Sequence, residues 1–161
     1  MLLKKLGGLL LITLVFLGAA CNDQTRTGCS NVDPSKEDAA MLAFCNANGM
    51  VGATKDASGM YFTIVSPGSG SQPNNGSTVR VLYTGKKMDG TVFDSQTDIN
   101  RPATFGMTGI IQAFQQGLLK IRKQGTVRIV APSYMCYGCR GSGNIGPNEP
   151  LYFEIYLVDV Q

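Results

Sequence analysis

The sequence predicts an α+β domain in which an antiparallel β-sheet packs on one short helix. The chain of 161 residues contains 20 glycines and 7 prolines, a content that favours a β-rich fold with many tight turns. Short strand-like segments occupy most of the chain after residue 60. One segment among them, 110–121, instead repeats apolar residues at helical spacing. The length favours one domain with short flanking segments.

Residues 1–20 have the order of a secretory signal peptide, with two lysines before an apolar run at 6–17 and small residues after it. The run of about 12 residues is shorter than the roughly 20 that a transmembrane helix needs. Cys21 follows Gly-Ala-Ala and resembles the acylated cysteine of a bacterial lipobox, so we expect a lipid anchor there. An ordinary signal peptide and an uncleaved anchor are the alternatives, and all three place the domain outside the cytoplasm.

The next segment, 21–32, is polar and without pattern, which is typical of a tether. Residues 33–59 are predicted to form an N-terminal helical extension that packs on the domain. Its helix would begin with Asp33 as N-cap and Pro34 at the first helical position. It would end near Asn48-Gly49.

The domain proper is predicted to span 60–161. A two-residue turn at Asp89-Gly90 separates two β-like runs. The helix predicted at 110–121 contains Gly117, which costs about 1 kcal/mol relative to alanine. A sheet wrapped over that helix would supply the missing stability. The predicted strands are 60–65, 79–84, 126–131 and 151–160.

Four further cysteines fit an oxidising compartment and could pair in three ways. Cys29 and Cys45 flank the N-terminal helical unit, while Cys136 and Cys139 lie close together in the sequence. Local pairing, Cys29–Cys45 and Cys136–Cys139, is therefore the preferred arrangement.

The composition also excludes several classes of function. The chain has no histidine, which excludes Ser-His-Asp and Cys-His nucleophilic schemes and removes the commonest transition-metal ligand. We expect no cofactor and no metal. The formal net charge of +3 falls to about +1 without the two lysines of the signal segment, so no basic patch predicts a nucleic-acid partner.

Four segments resemble, in sequence and in order, the FKBP-type peptidyl-prolyl isomerase domain: VRVLYTGKKMDGTVFDS, GIIQAFQQGL, APSYMCYG and PNEPLYFEIYLVDV. The resemblance covers 60–161, and the lead-in SGMYFTIV is similar to that of secreted bacterial members. It implies an FKBP-like twisted antiparallel β-sheet, a half-barrel wrapped around one short helix. A shallow apolar pocket would lie between the sheet and the helix.

The resemblance also implies which residues form the pocket. The hydroxyl of Tyr137 would hydrogen-bond a ligand carbonyl, and the backbone N–H of Ile111 would be offered to the substrate. Asp94 is expected to be a buried, hydrogen-bonded rim residue, and plain core packing is the alternative for the apolar positions. The catalytic candidates are Tyr83, Phe93, Asp94 and Tyr137. The substrate-binding candidates are Ile110, Ile111, Phe114, Ile145 and Phe153.

The sequence departs from the family pattern at two places. Ala103 stands where many members have an aromatic side wall, which implies a pocket open on that side. Ile99 replaces a basic residue that commonly pairs with the counterpart of Asp94, and the Tyr83 hydroxyl is the predicted substitute. These changes put catalytic rate and inhibitor affinity in question.

The predicted function is a peptidyl-prolyl cis-trans isomerase that assists the folding of extracytoplasmic proteins, with proline-containing polypeptides as partners. A peptide-binding or chaperone module with little turnover is the alternative. A thiol-redox protein that uses Cys136 and Cys139 is a third reading, because this C-x-x-C brackets Tyr137. That pair would otherwise be a loop-fixing disulfide or a redox switch for the pocket.

Overall fold

A computed structural model describes residues 28–161 of the chain. The predicted signal peptide at 1–20, the lipidation predicted at Cys21 and the first part of the tether lie outside the described residues. Within 28–161, the helices are all too short or too polar to cross a membrane.

The first helical segment begins as the sequence predicts. The Asp33 side chain accepts a hydrogen bond from the Ser35 N–H at 2.9 Å and caps a short 3-10 helix, Pro34–Lys36. Helix α1 (Asp38–Ala47) follows and ends just before Gly49, which has the positive φ of 72° that favours glycine.

Helix α2 (Gln112–Leu118) is shorter than the predicted 110–121. Ile110 stays extended, with φ −111° and ψ 162°, and Ile111 is the N-cap residue. The predicted helix is therefore correct for residues 112–118, whereas both ends of the predicted span, 110–111 and 119–121, lie outside α2.

Within residues 28–161, seven strands form one antiparallel sheet in the order β1-β2-β6-β7-β3-β4, and β5 pairs with β3. The sheet is open, because the edge strands β1 and β4 at the two ends of this order do not pair with each other. This confirms the predicted α+β class and the antiparallel half-barrel. The two shortest strands were not predicted, since two to four residues cannot show alternation. The bounds are β1 (Thr54–Lys55), β2 (Tyr61–Ser66), β3 (Thr78–Lys87), β4 (Val92–Gln96), β5 (Ala103–Gly106), β6 (Thr126–Ala131) and β7 (Leu151–Val160).

Alternate residues of the central strands point to opposite faces of the sheet, and each face is covered by one helix. Ile129 of β6 pairs with Phe153 of β7, and both belong to the core around α2. Their neighbours Val130 and Tyr152 also pair, but they belong to the core around α1. The predicted extension thus packs on the outer face of the half-barrel. Its ring contact is Phe44 on Tyr152, with centroids 5.3 Å apart.

Gly117 lies where α2 comes closest to the sheet. A Cβ at this position would lie 3.3 Å from two side-chain atoms of Ile129 and 3.7 Å from Ile155. The glycine that weakens the helix in isolation therefore lets the helix lie close against β6 and β7, where burial of apolar surface stabilises it.

The predicted local disulfides are wrong. Cys29 bonds to Cys139, 110 residues away, while Cys45 and Cys136 carry free thiols. Cys45 lies on the buried side of α1, in the core with Val130 and Tyr152, and is not bonded to Cys29. Sequence proximity failed as a guide because the fold brings 28–32 against the loop that carries Cys139. This part of the predicted tether is therefore attached to the domain.

Candidate functional site

A cavity of about 320 Å³ lies between α2 and the inner face of the sheet. All the catalytic and substrate-binding candidates named from the sequence line it, except Ile145. Phe105 and Gly109 line it as well, although the sequence did not identify them. The lining residues are Tyr83, Phe93, Asp94, Phe105, Gly109, Ile110, Ile111, Phe114, Tyr137 and Phe153.

Phe114 of α2 forms the centre of the aromatic wall. Its ring centroid lies 5.4 Å from that of Tyr83 and 5.1 Å from that of Phe153, both nearly perpendicular. Phe93 stacks edge-on against Phe153 at 5.7 Å. Edge-to-face pairs of this kind are favourable and fix each ring relative to the next. The cavity therefore has walls that do not readily collapse into it.

Gly85 is what allows the Phe93 ring to occupy this place. A Cβ on Gly85 would lie 2.6 Å from the Phe93 ring, closer than side chains tolerate. Gly85 pairs with Asp94 on one side and with Phe153 on the other, so it lies in the middle of the pocket wall. The sequence signal was present, as a glycine inside a strand often marks a close approach, but its partner could not be identified.

The Tyr83 hydroxyl donates a hydrogen bond to Asp94 Oδ2 at 2.7 Å, as the sequence predicted after the loss of a basic residue at Ile99. Asp94 is exposed, however, and the prediction of a buried carboxylate is wrong. Burial of the phenol, followed by its hydrogen bond to Asp94, raises the pKa of Tyr83 well above its ordinary value. Tyr83 therefore stays protonated and keeps donating at all physiological pH values.

Two hydrogen-bond donors belong to residues that line the cavity. Ile111 contributes its backbone N–H at the N-terminus of α2, while Gln115 Nε2 donates to the neighbouring Ile110 carbonyl at 2.8 Å. Tyr137 contributes its hydroxyl, and burial of the phenol raises its pKa. Among residues 28–161, neither the Ile111 N–H nor the Tyr137 hydroxyl donates to another protein group. Both are available to a ligand.

Ile145 does not line the cavity. It is 7% exposed, packs in the core around α2, and bridges to Ser142 in the loop after Tyr137. The prediction that Ile145 closes one side of the pocket is therefore wrong, because its side chain packs in the core around α2 instead.

Phe105 supplies an aromatic side chain near the side that Ala103 was expected to leave open. It lies on β5 opposite Val79 of β3, and its ring lies 6.2 Å from Tyr83 and 6.4 Å from Phe114. The sequence reading missed it because strand β5 is only four residues long. The sequence feature that could have identified Phe105 is its position two residues after Ala103, because residues i and i+2 of a strand share a face.

Cys136 does not form a redox pair. Its partner in the C-x-x-C, Cys139, is bonded to Cys29. Burial, followed by the negative charge of Glu37, raises the pKa of the Cys136 thiol far above its ordinary value, and a nucleophilic thiol needs the opposite shift. The described residues 28–161 also hold no group of three or more Cys, Asp or Glu side chains placed to bind a metal ion.

Comparison with known proteins gives a family match over most of the domain. Residues 69–158 match the family model described as "FKBP-type peptidyl-prolyl cis-trans isomerase". The chain is 38% identical over 121 residues to "Outer membrane protein MIP" of Legionella longbeachae, which covers 74% of this chain and 52% of that protein. It is 34% identical over 110 residues to "FKBP-type peptidyl-prolyl cis-trans isomerase FkpA" of Escherichia coli K12, covering 68% and 41%. The chain thus spans about half the length of these relatives or less.

Solved structures agree. The crystal structure of FkpA from Escherichia coli superposes with a TM-score of 0.70 at 31% identity, covering 79% of this chain and 58% of that one. A crystal structure of a peptidyl-prolyl cis-trans isomerase from Pseudomonas syringae gives 0.66 at 30% identity, covering 82% and 98%. With the aromatic cavity between α2 and an open antiparallel sheet, these matches lead to one conclusion. The chain belongs to the family of FKBP-type peptidyl-prolyl cis-trans isomerases.

Proposed function

We propose that this protein is a peptidyl-prolyl cis-trans isomerase whose active site is the aromatic cavity. The observation that carries the proposal is the combination of an apolar, ring-walled cavity with two unused hydrogen-bond donors, in a chain of this family. Its substrates would be X–Pro segments of unfolded or extended polypeptides.

The chemistry requires no nucleophile and no proton transfer. An X–Pro bond isomerises over a barrier of roughly 20 kcal/mol, which takes tens to hundreds of seconds without help. In the twisted transition state the amide loses its resonance, and its carbonyl oxygen loses negative charge. A cavity walled by Phe93, Phe114 and Phe153 therefore favours the twisted amide over the more polar planar one.

The two free donors would orient the substrate. The proline ring would lie among the aromatic side chains, while the Ile111 N–H and the Tyr137 hydroxyl would hold carbonyl groups on either side of the bond. Holding both neighbours restricts the rotation to the productive direction and lowers its entropic cost. Asp94 would act indirectly, by fixing the Tyr83 hydroxyl at the rim.

A proline-peptide isomerisation assay on the chain from Cys29 onward tests this proposal, since that span retains the disulfide. We expect clear acceleration by the wild type. Phe93→Ala should lower kcat/KM by about tenfold or more, and Tyr137→Phe by a smaller factor, because it removes one hydrogen bond and no wall. A wild-type rate equal to the uncatalysed rate would contradict the proposed isomerase activity. The alternative, a peptide-binding module with little turnover, would then remain.

We propose further that the protein works in the cell envelope, attached through the predicted lipid at Cys21. The Cys29–Cys139 disulfide supports an oxidising compartment, and one relative bears the name "Outer membrane protein MIP". Metabolic labelling of the full chain with a fatty-acid analogue, compared with Cys21→Ser, tests the anchor. Equal label in both would contradict it.

A further inference from the structure

Segment 29–37 crosses the loop that carries Tyr137, and we call this segment the strap. The loop runs from 132 to 150, between β6 and β7. The strap holds it at three separate points, through one disulfide and several hydrogen bonds.

The first point is the middle of the loop. Cys29 bonds to Cys139, and the Asn31 side chain accepts a hydrogen bond from the Cys139 N–H at 2.9 Å. The same Asn31 oxygen lies 2.6 Å from the place where a Cβ on Gly138 would be. Only a glycine at 138 admits the strap this closely, and its φ of 58° favours glycine as well.

The second point is the start of the loop. Glu37 is 7% exposed, and its carboxylate accepts hydrogen bonds from both the N–H and the hydroxyl of Ser133, the former at 2.8 Å. Ser133 begins the 3-10 helix Ser133–Met135, which leads directly to Tyr137. A buried carboxylate is costly unless its oxygens are satisfied, so this contact fixes the loop firmly.

The third point is the end of the loop, where the Val32 N–H donates to Asn148 Oδ1 at 3.1 Å. Asn148 in turn donates its own N–H to the Gly138 carbonyl at 2.9 Å. The strap thus braces the backbone on both sides of Tyr137 as well as the residue next to it.

Tyr137 needs this support, because its hydroxyl donates to no protein group among residues 28–161. Its position in the cavity therefore follows from the backbone of the loop. A shift of about 1 Å in a group that orients a substrate can cost as much as a hundredfold in rate. The strap lies outside the residues 69–158 that match the family model.

We propose that the strap is a positioning element for Tyr137, with Asn31, Glu37 and the Cys29–Cys139 disulfide as its positioning residues. The inference rests on the proposed isomerase function of the cavity, and it makes the N-terminal segment part of the working enzyme.

The test is a double-mutant cycle between the strap and the Tyr137 hydroxyl. Asn31→Ala, and separately Cys29→Ser with Cys139→Ser, are made in the wild type and in Tyr137→Phe. We expect each strap change to lower kcat/KM several-fold in the wild type, by no more than Tyr137→Phe itself does, and by less than about twofold in Tyr137→Phe, because the group being positioned is then absent. Asn48→Ala is the matched control, since it removes an asparagine of the same extension whose Nδ2 bonds only the Phe44 carbonyl. It should change neither background.

Reduction provides the same test without mutation. A small dithiol transfers two electrons and two protons to the Cys29–Cys139 bond, leaving two thiols and an oxidised cyclic disulfide. Wild-type kcat/KM should fall upon reduction, while the double serine variant should not respond. Equal fold-losses in the Tyr137 and Tyr137→Phe backgrounds would overturn the proposal, as would unchanged activity after complete reduction.

Failure of the proposed isomerase function can be distinguished from failure of the strap proposal. If the wild type binds a proline peptide without turning it over, the same cycle is measured on the peptide Kd. Coupling between Asn31 and Tyr137 in the Kd then supports the strap even though the enzyme proposal has failed. If the two substitutions instead change the binding free energy additively, the strap proposal is wrong.

Discussion

The two faces of the sheet are made from adjacent residues of the same strands, yet they differ in what fills them. Between the sheet and α2 lie the rings of Phe93, Phe114 and Phe153, and Phe153 stands nearly perpendicular to each of the other two at the wall of a cavity. Between the sheet and α1, Phe44 packs on Tyr152, and the almost fully buried Met41 and Met50 belong to the same core. Methionine is flexible and fills irregular space, whereas mutually stacked rings keep their shape. The α2 side also buries Met60, Met107 and Met135, so what distinguishes it is the network of nearly perpendicular rings around the cavity.

The largest expected effects come from replacing one buried aromatic ring on each side of the sheet. Phe153→Ala and Phe44→Ala should each lower the free energy of unfolding by roughly 3 kcal/mol or more, because both rings are nearly buried. Only Phe153→Ala should also lower kcat/KM, by at least about tenfold, in assays run well below its melting temperature. Urea unfolding and isomerase assays on both variants check this. Equal activity losses would show that the cavity has no special role.

Two glycines allow a finer comparison. Gly85→Ala should cost about 1–3 kcal/mol and reduce activity, because the new methyl group would displace the Phe93 ring. Gly117→Ala gains about 1 kcal/mol of helix propensity and meets Ile129 at 3.3 Å, so its net effect on unfolding should be small. In a Phe93→Ala background, Gly85→Ala should become much less harmful. If it stays as harmful there, the steric explanation is wrong.

The tyrosine hydroxyls form a matched pair with smaller effects. Tyr83 donates to Asp94 at 2.7 Å on the cavity side, and Tyr61 donates to Asp38 at 2.9 Å on the α1 side. Replacing either tyrosine by phenylalanine should lower the free energy of unfolding by about 1 kcal/mol. We expect a change in KM only for Tyr83→Phe. A similar change in KM for Tyr61→Phe would contradict the assignment of function to one face.

The pH dependence of stability should come partly from the α1 side. Hydrogen bonds from Lys55 and then Tyr61 hold the pKa of Asp38 below its ordinary value of 3.8. A carboxyl with a lowered pKa stabilises the fold fully above that ordinary value, and the contribution is lost as the pH falls through the lowered pKa. Asp38→Asn should therefore lose stability relative to the wild type near pH 6, with the difference shrinking below about pH 4. Urea unfolding at several pH values measures this small effect.

The sequence was informative wherever local periodicity decides the outcome. The predicted bounds of β6 and β7 agree with the structure, and the apolar stripe at 110–121 identifies the residues of α2 that face the sheet. Most cavity residues followed from the resemblance, because their spacing along strands and helix is preserved. The Tyr83–Asp94 pair followed from the absence of a cation at Ile99.

Other features depended on contacts between distant segments. Alternation along a strand determines which side chains share a face, but it does not determine which of them meet residues from elsewhere. The partner of Cys29, the place of Phe105 beside Tyr83 and the packing of Ile145 away from the cavity all follow from how loops and strands lie against one another. The sequence by itself therefore determined the class of fold and the chemical character of the pocket. Only the tertiary structure decided how the pocket is held, because the bonds that brace Tyr137 join residues about a hundred positions apart.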